Sequence, residues 1–186
     1  MYLTLHLILA HFLADYPLQS GKMVKYKYKS LIGLFLHTIM HVVVISLICL
    51  PFLYSAKVLW SLIVIFISHL LIDRAKIACE KFCPKINKFI FYALDQLLHI
   101  LILLYVSLYF IGKAEPGMTG DWYAYYSDST LIGFILIFIL CTYFYDVTKW
   151  TFLNSIKPIP YKRDYKLMAR NALVVVIAFL LYWLTR

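Results

Sequence analysis

The sequence predicts an all-α membrane protein, a bundle of about six transmembrane helices whose first member is short or re-entrant. Three observations lead there. Of 186 residues, 63% are hydrophobic and 15% charged, with a mean hydropathy of +0.82, which is too apolar for a soluble domain of this size. The apolar residues gather into runs near the ~20 residues that cross a bilayer core. The basic residues, which give a formal net charge of +9, cluster between those runs and suit cytoplasmic loops and anionic lipid. Nucleic-acid binding is excluded, because it needs a basic face on a soluble fold.

Residues 1–19 form the first apolar segment, ended near Pro17. It covers roughly 28 Å at 1.5 Å per residue and carries His6, His11 and Asp15, so it is the weakest span. No basic region precedes it and lysines follow it, the reverse of a secretory signal, so insertion without cleavage is expected. Lys22, Lys25, Lys27 and Lys29 alternate with Tyr26 and Tyr28 in an interfacial stretch. The second span is 31–53, ended by Pro51, and the third is 58–78. A basic segment with Arg74, Lys76, Lys81, Lys85 and Lys88 leads to the fourth, 89–111. The loop 112–129 holds Gly and Pro breakers and the aromatic run 122–126, expected on the bilayer surface. Spans 130–148 and 167–185 complete the chain. The whole reads as one polytopic domain, 1–186, with four ligand-bearing helices in 1–111 and two further spans in 130–185.

Loop charge orients the bundle. The loops after spans one, three and five are strongly basic, whereas those after spans two and four hold one lysine each. Basic loops stay in the cytoplasm, so both termini are expected outside.

Four apolar segments each carry a pair of metal-ligating side chains four residues apart: His11 with Asp15, His37 with His41, His69 with Asp73, and Asp95 with His99. Residues i and i+4 share a helix face. Six histidines and seven aspartates scattered at random would give on the order of one such pair. In the expected topology all four pairs lie at similar depth, near the cytoplasmic side. A lone histidine in an apolar helix is more often a packed, hydrogen-bonded residue, and an aspartate there costs about 2.5–3.5 kcal/mol unless partnered. The aligned set points instead to a metal centre. Imidazole and carboxylate donors suit zinc, with manganese or iron also possible on chemistry, rather than copper or an iron–sulfur cluster. Eight donors exceed one tetrahedral zinc. Either two ions share a bridging aspartate, or one ion is backed by outer carboxylates.

Gln19 lies one turn beyond Asp15 and Gln96 follows Asp95, so both are placed to hydrogen-bond a ligand or substrate. Lys22, Lys25, Arg74 and Lys76 are placed to meet a phosphate or lipid headgroup, or to serve as interfacial anchors. Cys49, Cys79, Cys83 and Cys141 read as small, reduced, partly buried residues. Asp146, Lys149, Arg170 and Asn171 read as structural.

The stretches His11-Phe-Leu-Ala-Asp15-Tyr-Pro-Leu-Gln19, Leu36-His37-Thr-Ile-Met-His41, Ser68-His69-Leu-Leu-Ile-Asp73 and Leu94-Asp95-Gln96-Leu-Leu-His99 together resemble a bacterial inner-membrane family, domain of unknown function 3307. The resemblance covers the first four spans and implies a compact helical fold in the inner membrane, with no settled reaction. More loosely, the His/Asp helices are similar to those of bacterial membrane-bound metal-dependent hydrolases.

Three functions follow as expectations. The first is hydrolysis of a lipid or lipid-linked ester or phosphoester at the cytoplasmic leaflet, with Asp73 or Asp95 as general base. The second is divalent metal transport, since His-x-x-x-Asp pairs resemble the zinc site of cation diffusion facilitators; that site belongs nearer the midplane. The third is a metal-stabilised structural role. A di-iron desaturase is disfavoured, because no adjacent His-His occurs. Membrane lipid is the expected partner. Oligomeric state is not legible.

Overall fold

The computed structural model describes residues 2–111, 117 and 121–185. Among these the chain is helical without strands. The elements are α1 (Tyr2–Asp15), α2 (Gly21–Lys29), α3 (Leu31–Ile48), a 3-10 turn (Leu50–Phe52), α4 (Ala56–Phe82) and α5 (Lys88–Val106), which runs into a π turn (Ser107–Ile111). They continue with α6 (Asp121–Ser127), α7 (Ser129–Ile139), a second π turn (Leu140–Phe144), α8 (Tyr145–Ile156) and α9 (Tyr165–Leu184).

Local chemistry sets the helix ends. Ser20 and Ser30 accept from the backbone N–H groups of Met23 and Gly33 at 3.2 and 2.9 Å. Asn87, Asp128 and Asp164 cap α5, α7 and α9 in the same way. Pro51 sits in the first turn of the 3-10 segment, where a missing N–H costs nothing.

Five helices are long and apolar enough to cross a membrane: α3, α4, α5 with its π turn, α7–α8 as one rod, and α9. The chain is a multi-pass membrane protein in character. The remaining expected span, the short first one, is α1. Its 14 residues reach roughly 21 Å, short of a ~30 Å core.

The exposed and buried faces are inverted relative to a soluble bundle. Trp60, Ile63, Ile67 and Leu71 form an exposed apolar stripe on α4, while its buried face reads Val58, Ser61, Ile65, His69 and Asp73. On α5 Ile90, Leu94, Leu97, Leu101 and Tyr105 face out and Asp95, His99, Leu103 and Val106 face in. Apolar residues outside and ionisable ones inside are what lipid demands.

The short helix α1 is the hub. No residue from Leu3 to Tyr16 is exposed. Leu3, Leu7, Ala10 and Ala14 pack on Ile45, Phe52, Ile65 and Val106. Leu9, Phe12 and Tyr16 pack on Ile132, Leu136 and Ile139 of α7. A helix apolar nearly all round belongs in the interior. The aromatic run expected on the bilayer surface reaches this hub through Tyr126. Tyr126 stacks on His6 at 4.3 Å between centroids and donates its hydroxyl to the Ile48 carbonyl at 2.7 Å, closing over α1 and α3. Residues 112–116 and 118–120 of that loop, and both chain ends, lie outside the described residues.

Candidate metal centre

Helical periodicity carries each pair inward. On α3, α4 and α5 the ligand positions continue the core stripe by whole turns: Leu34, His37, His41, Val44; Ile65, His69, Asp73; Asp95, His99, Leu103. Helix α1 delivers His11 and Asp15 from the middle. All eight predicted donors therefore meet in one buried cluster. His11, His37, His41, His69, Asp73, Asp95 and His99 are each at most 4% exposed, and the Asp15 side chain 9%.

Two donor groups emerge, each with its atoms within 4.8 Å of one another: Asp15, His37, His41 and His69, and then His69, Asp73 and His99. His69 belongs to both. Asp15 Oδ1 lies 3.1 Å from His41 Nε2 and 3.4 Å from His37 Nε2. His69 Nε2 lies 3.4 Å from His37 Nε2 and 3.5 Å from Asp73 Oδ2. The His41 and His69 rings are 3.9 Å apart and the His69 and His99 rings 4.1 Å. His11 and Asp95 flank these groups without joining them: His11 Nε2 is 3.5 Å from Asp15 Oδ2, and Asp95 Oδ1 is 3.8 Å from His99 Nδ1.

Outer partners orient the rings. His99 Nδ1 donates to the Asp95 carbonyl at 2.8 Å, which leaves Nε2 with its lone pair toward the cluster. The Gln19 amide lies 2.9 Å from His37 Nδ1. Turning that amide so that its oxygen accepts Nδ1–H frees His37 Nε2 as a ligand. The Gln96 amide donates to Asp15 Oδ2 and to Asp95 Oδ2, both at 3.2 Å, tying two carboxylates together.

The cluster is under-satisfied. His11 Nε2, His41 Nδ1, Asp73 Oδ2, Asp95 Oδ1, Gln96 Oε1 and His99 Nε2 are buried without a hydrogen-bond partner. Each such atom costs about 1–3 kcal/mol, so six in one cluster fit a cation that would take several of their lone pairs. A cavity of about 10 Å³, lined by His11, His41, His69, His99 and Ser68 under Ile65, holds one atom-sized occupant.

Two lysines complete the charge balance. Lys27 Nζ sits 2.8 Å from Asp73 Oδ1, both side chains buried, and Lys76 Nζ sits 3.0 Å from Asp95 Oδ2. Buried carboxylates without such partners would be far costlier. Lys76, expected at the headgroups, thus reaches inward. Lys27 was not singled out for the site, although the sequence carries a signal: Met23 and Lys27, four apart, form the inward side of α2 between two serine caps. Lys22, Lys25 and Arg74 stay exposed. Asp146 lies apart from the cluster, accepting from the Tyr161 hydroxyl at 2.9 Å and the Asp164 N–H at 3.2 Å.

A family model described as Protein of unknown function (DUF3307) matches residues 3–116. The chain belongs to the DUF3307 family. No curated protein and no solved structure matches it. The DUF3307 match spans α1 to α5 and so contains all eight donors, both glutamines and both carboxylate-paired lysines. Helices α7–α9 lie outside it, and α7 supplies the second wall of α1.

Proposed function

We propose that this protein is a metal-dependent hydrolase of the bacterial inner membrane, acting on a lipid or lipid-linked ester or phosphoester at the cytoplasmic leaflet. Both chain ends then face the outside, as the lysine distribution favours. The observation that carries the reading is the pair of donor groups sharing His69, with six unpartnered polar atoms around them.

Charge selects one ion over two. Three carboxylates against Lys27 and Lys76 leave the cluster one negative charge if the imidazoles are neutral. A single divalent cation, zinc first and manganese or iron next, would take it to one positive charge, which a bound hydroxide would cancel; two would bury three positive charges. Asp15, His37, His41 and His69 would hold it. Such an ion lowers the pKa of a water toward 7 and polarises an ester or phosphoryl oxygen. Asp95 lies outside both donor groups yet keeps a buried, unpartnered Oδ1. It is therefore the general base, with its other oxygen held by Lys76 and Gln96. Asp73 steadies the imidazole of His69 and answers Lys27.

Transport is disfavoured by the far wall. Ile45, Ile65, Ile102 and Leu103 close the cavity, and beyond His41 and His99 the helices α3 and α5 carry no Asp, Glu, Lys, Arg or His. The experiment is reconstitution in liposomes with zinc, following lipid turnover and metal flux together. Turnover should require metal and fall at least a hundredfold in Asp95→Asn while metal content is unchanged. Saturable zinc flux with intact lipids would replace the hydrolase with a transporter.

A further inference from the structure

A second cavity, about 140 Å³, opens beside the centre between the end of α2, the first turn of α3 and α4. Lys27, Lys29 and Arg74 supply its polar wall, and Leu31, Leu34 and Ile77 its apolar one. Its volume is on the order of ten single-water spaces, and no carboxylate lines it. Lys27 is neutralised by Asp73. Among the described residues Lys29 and Arg74 have no acidic partner. Tyr28 also lines it and donates its hydroxyl to Glu80 at 3.2 Å.

Two unpaired cations beside an apolar wall recognise a phosphate carried on an alkyl chain. Arg presents a planar fork that matches phosphate oxygens, and Lys a point charge. We propose that this cavity is a phosphate-binding site, with Arg74 and Lys29 as its ligands. Lys27 is the link to the centre: it lines the cavity, and its ammonium holds Asp73, whose other oxygen is 3.4 Å from His37 Nε2. A bound phosphate competes with Asp73 for Lys27. The site deepens the hydrolase reading by naming a phosphoester as its substrate class, but phosphate binding here stands without any turnover.

The test uses the full-length protein in neutral detergent, with labelled dodecyl phosphate and inorganic phosphate as probes and zinc content measured in the same samples. Saturable binding is expected, at least tenfold weaker in Lys29→Gln/Arg74→Gln. The control Lys22→Gln/Lys25→Gln removes the same charge from exposed positions outside the cavity and should stay within twofold of wild type. Equal weakening by both pairs, or by neither, overturns the site. Arg74→Lys, which keeps the charge, should recover part of the affinity if the double variant is folded, and no recovery in a folded Arg74→Lys protein counts against the fork. Tighter binding of dodecyl phosphate than of inorganic phosphate assigns the site to an amphiphile; equal binding assigns it to free phosphate. Phosphate binding without zinc sinks the hydrolase and leaves this site standing, and zinc loading without phosphate binding does the reverse.

Discussion

His69 and His6 show how differently two histidines in apolar helices are used. His69 is shared by both donor groups, so His69→Ala should lower zinc occupancy of purified protein below about a tenth of wild type. Its thermal unfolding midpoint should drop with it, because the remaining donors lose their cation and stay buried. His6 instead holds the Tyr126 carbonyl at 3.0 Å and stacks on its ring. His6→Ala should cost about 1–2 kcal/mol of stability, the range of a hydrogen bond plus a ring contact, with zinc content retained. Equal zinc loss in both variants would mean that the cluster responds to packing rather than to ligation. The pairs at i, i+4 were legible because helical spacing is a property of the chain itself. Lys27 was not, since its meaning lies in Asp73, 2.8 Å away on another helix.

At the scale of elements, α2 and α3 touch through Gly33. A Cβ there would fall on the Tyr26 carbonyl and within 2.9 Å of the Lys27 nitrogen, and both are backbone atoms that cannot step aside. Alanine would favour the helix by roughly 1 kcal/mol, but the clash costs about 1–3 kcal/mol and pushes α2 off α3. Gly33→Ala is therefore expected to lower the melting temperature and, by displacing Lys27, to weaken dodecyl phosphate binding. Unchanged melting and unchanged binding would show that α2 is not held by this contact. The π turn at Leu140–Phe144 has its own supporting contact, since Asn171 of α9 donates to the Cys141 carbonyl at 2.8 Å. That bond gives a purpose to a polar residue where the apolar run of α9 begins.

Over the whole molecule, orientation rests on the lysine-rich ends. Lys25→Cys and Lys162→Cys should resist an impermeant thiol reagent in intact cells, whereas Thr185→Cys should react; each position is exposed. Labelling at Lys25→Cys from outside would invert the bundle and move the centre to the other leaflet. The sequence by itself determined the helical class, the apolar runs and the four His/Asp pairs on shared helix faces, because hydropathy and 3.6-residue spacing are local properties. Only the tertiary structure decided that α1, the least convincing span, is the hub. Its His11 and Asp15 lower its hydropathy, yet they suit an interior shared with His41, His69 and Gln96. Tertiary structure also decided that Lys76 turns inward, that Lys27 answers Asp73, and that Arg74 and Lys29 share a cavity. Each depends on which helices become neighbours, a long-range outcome that no local window of residues contains.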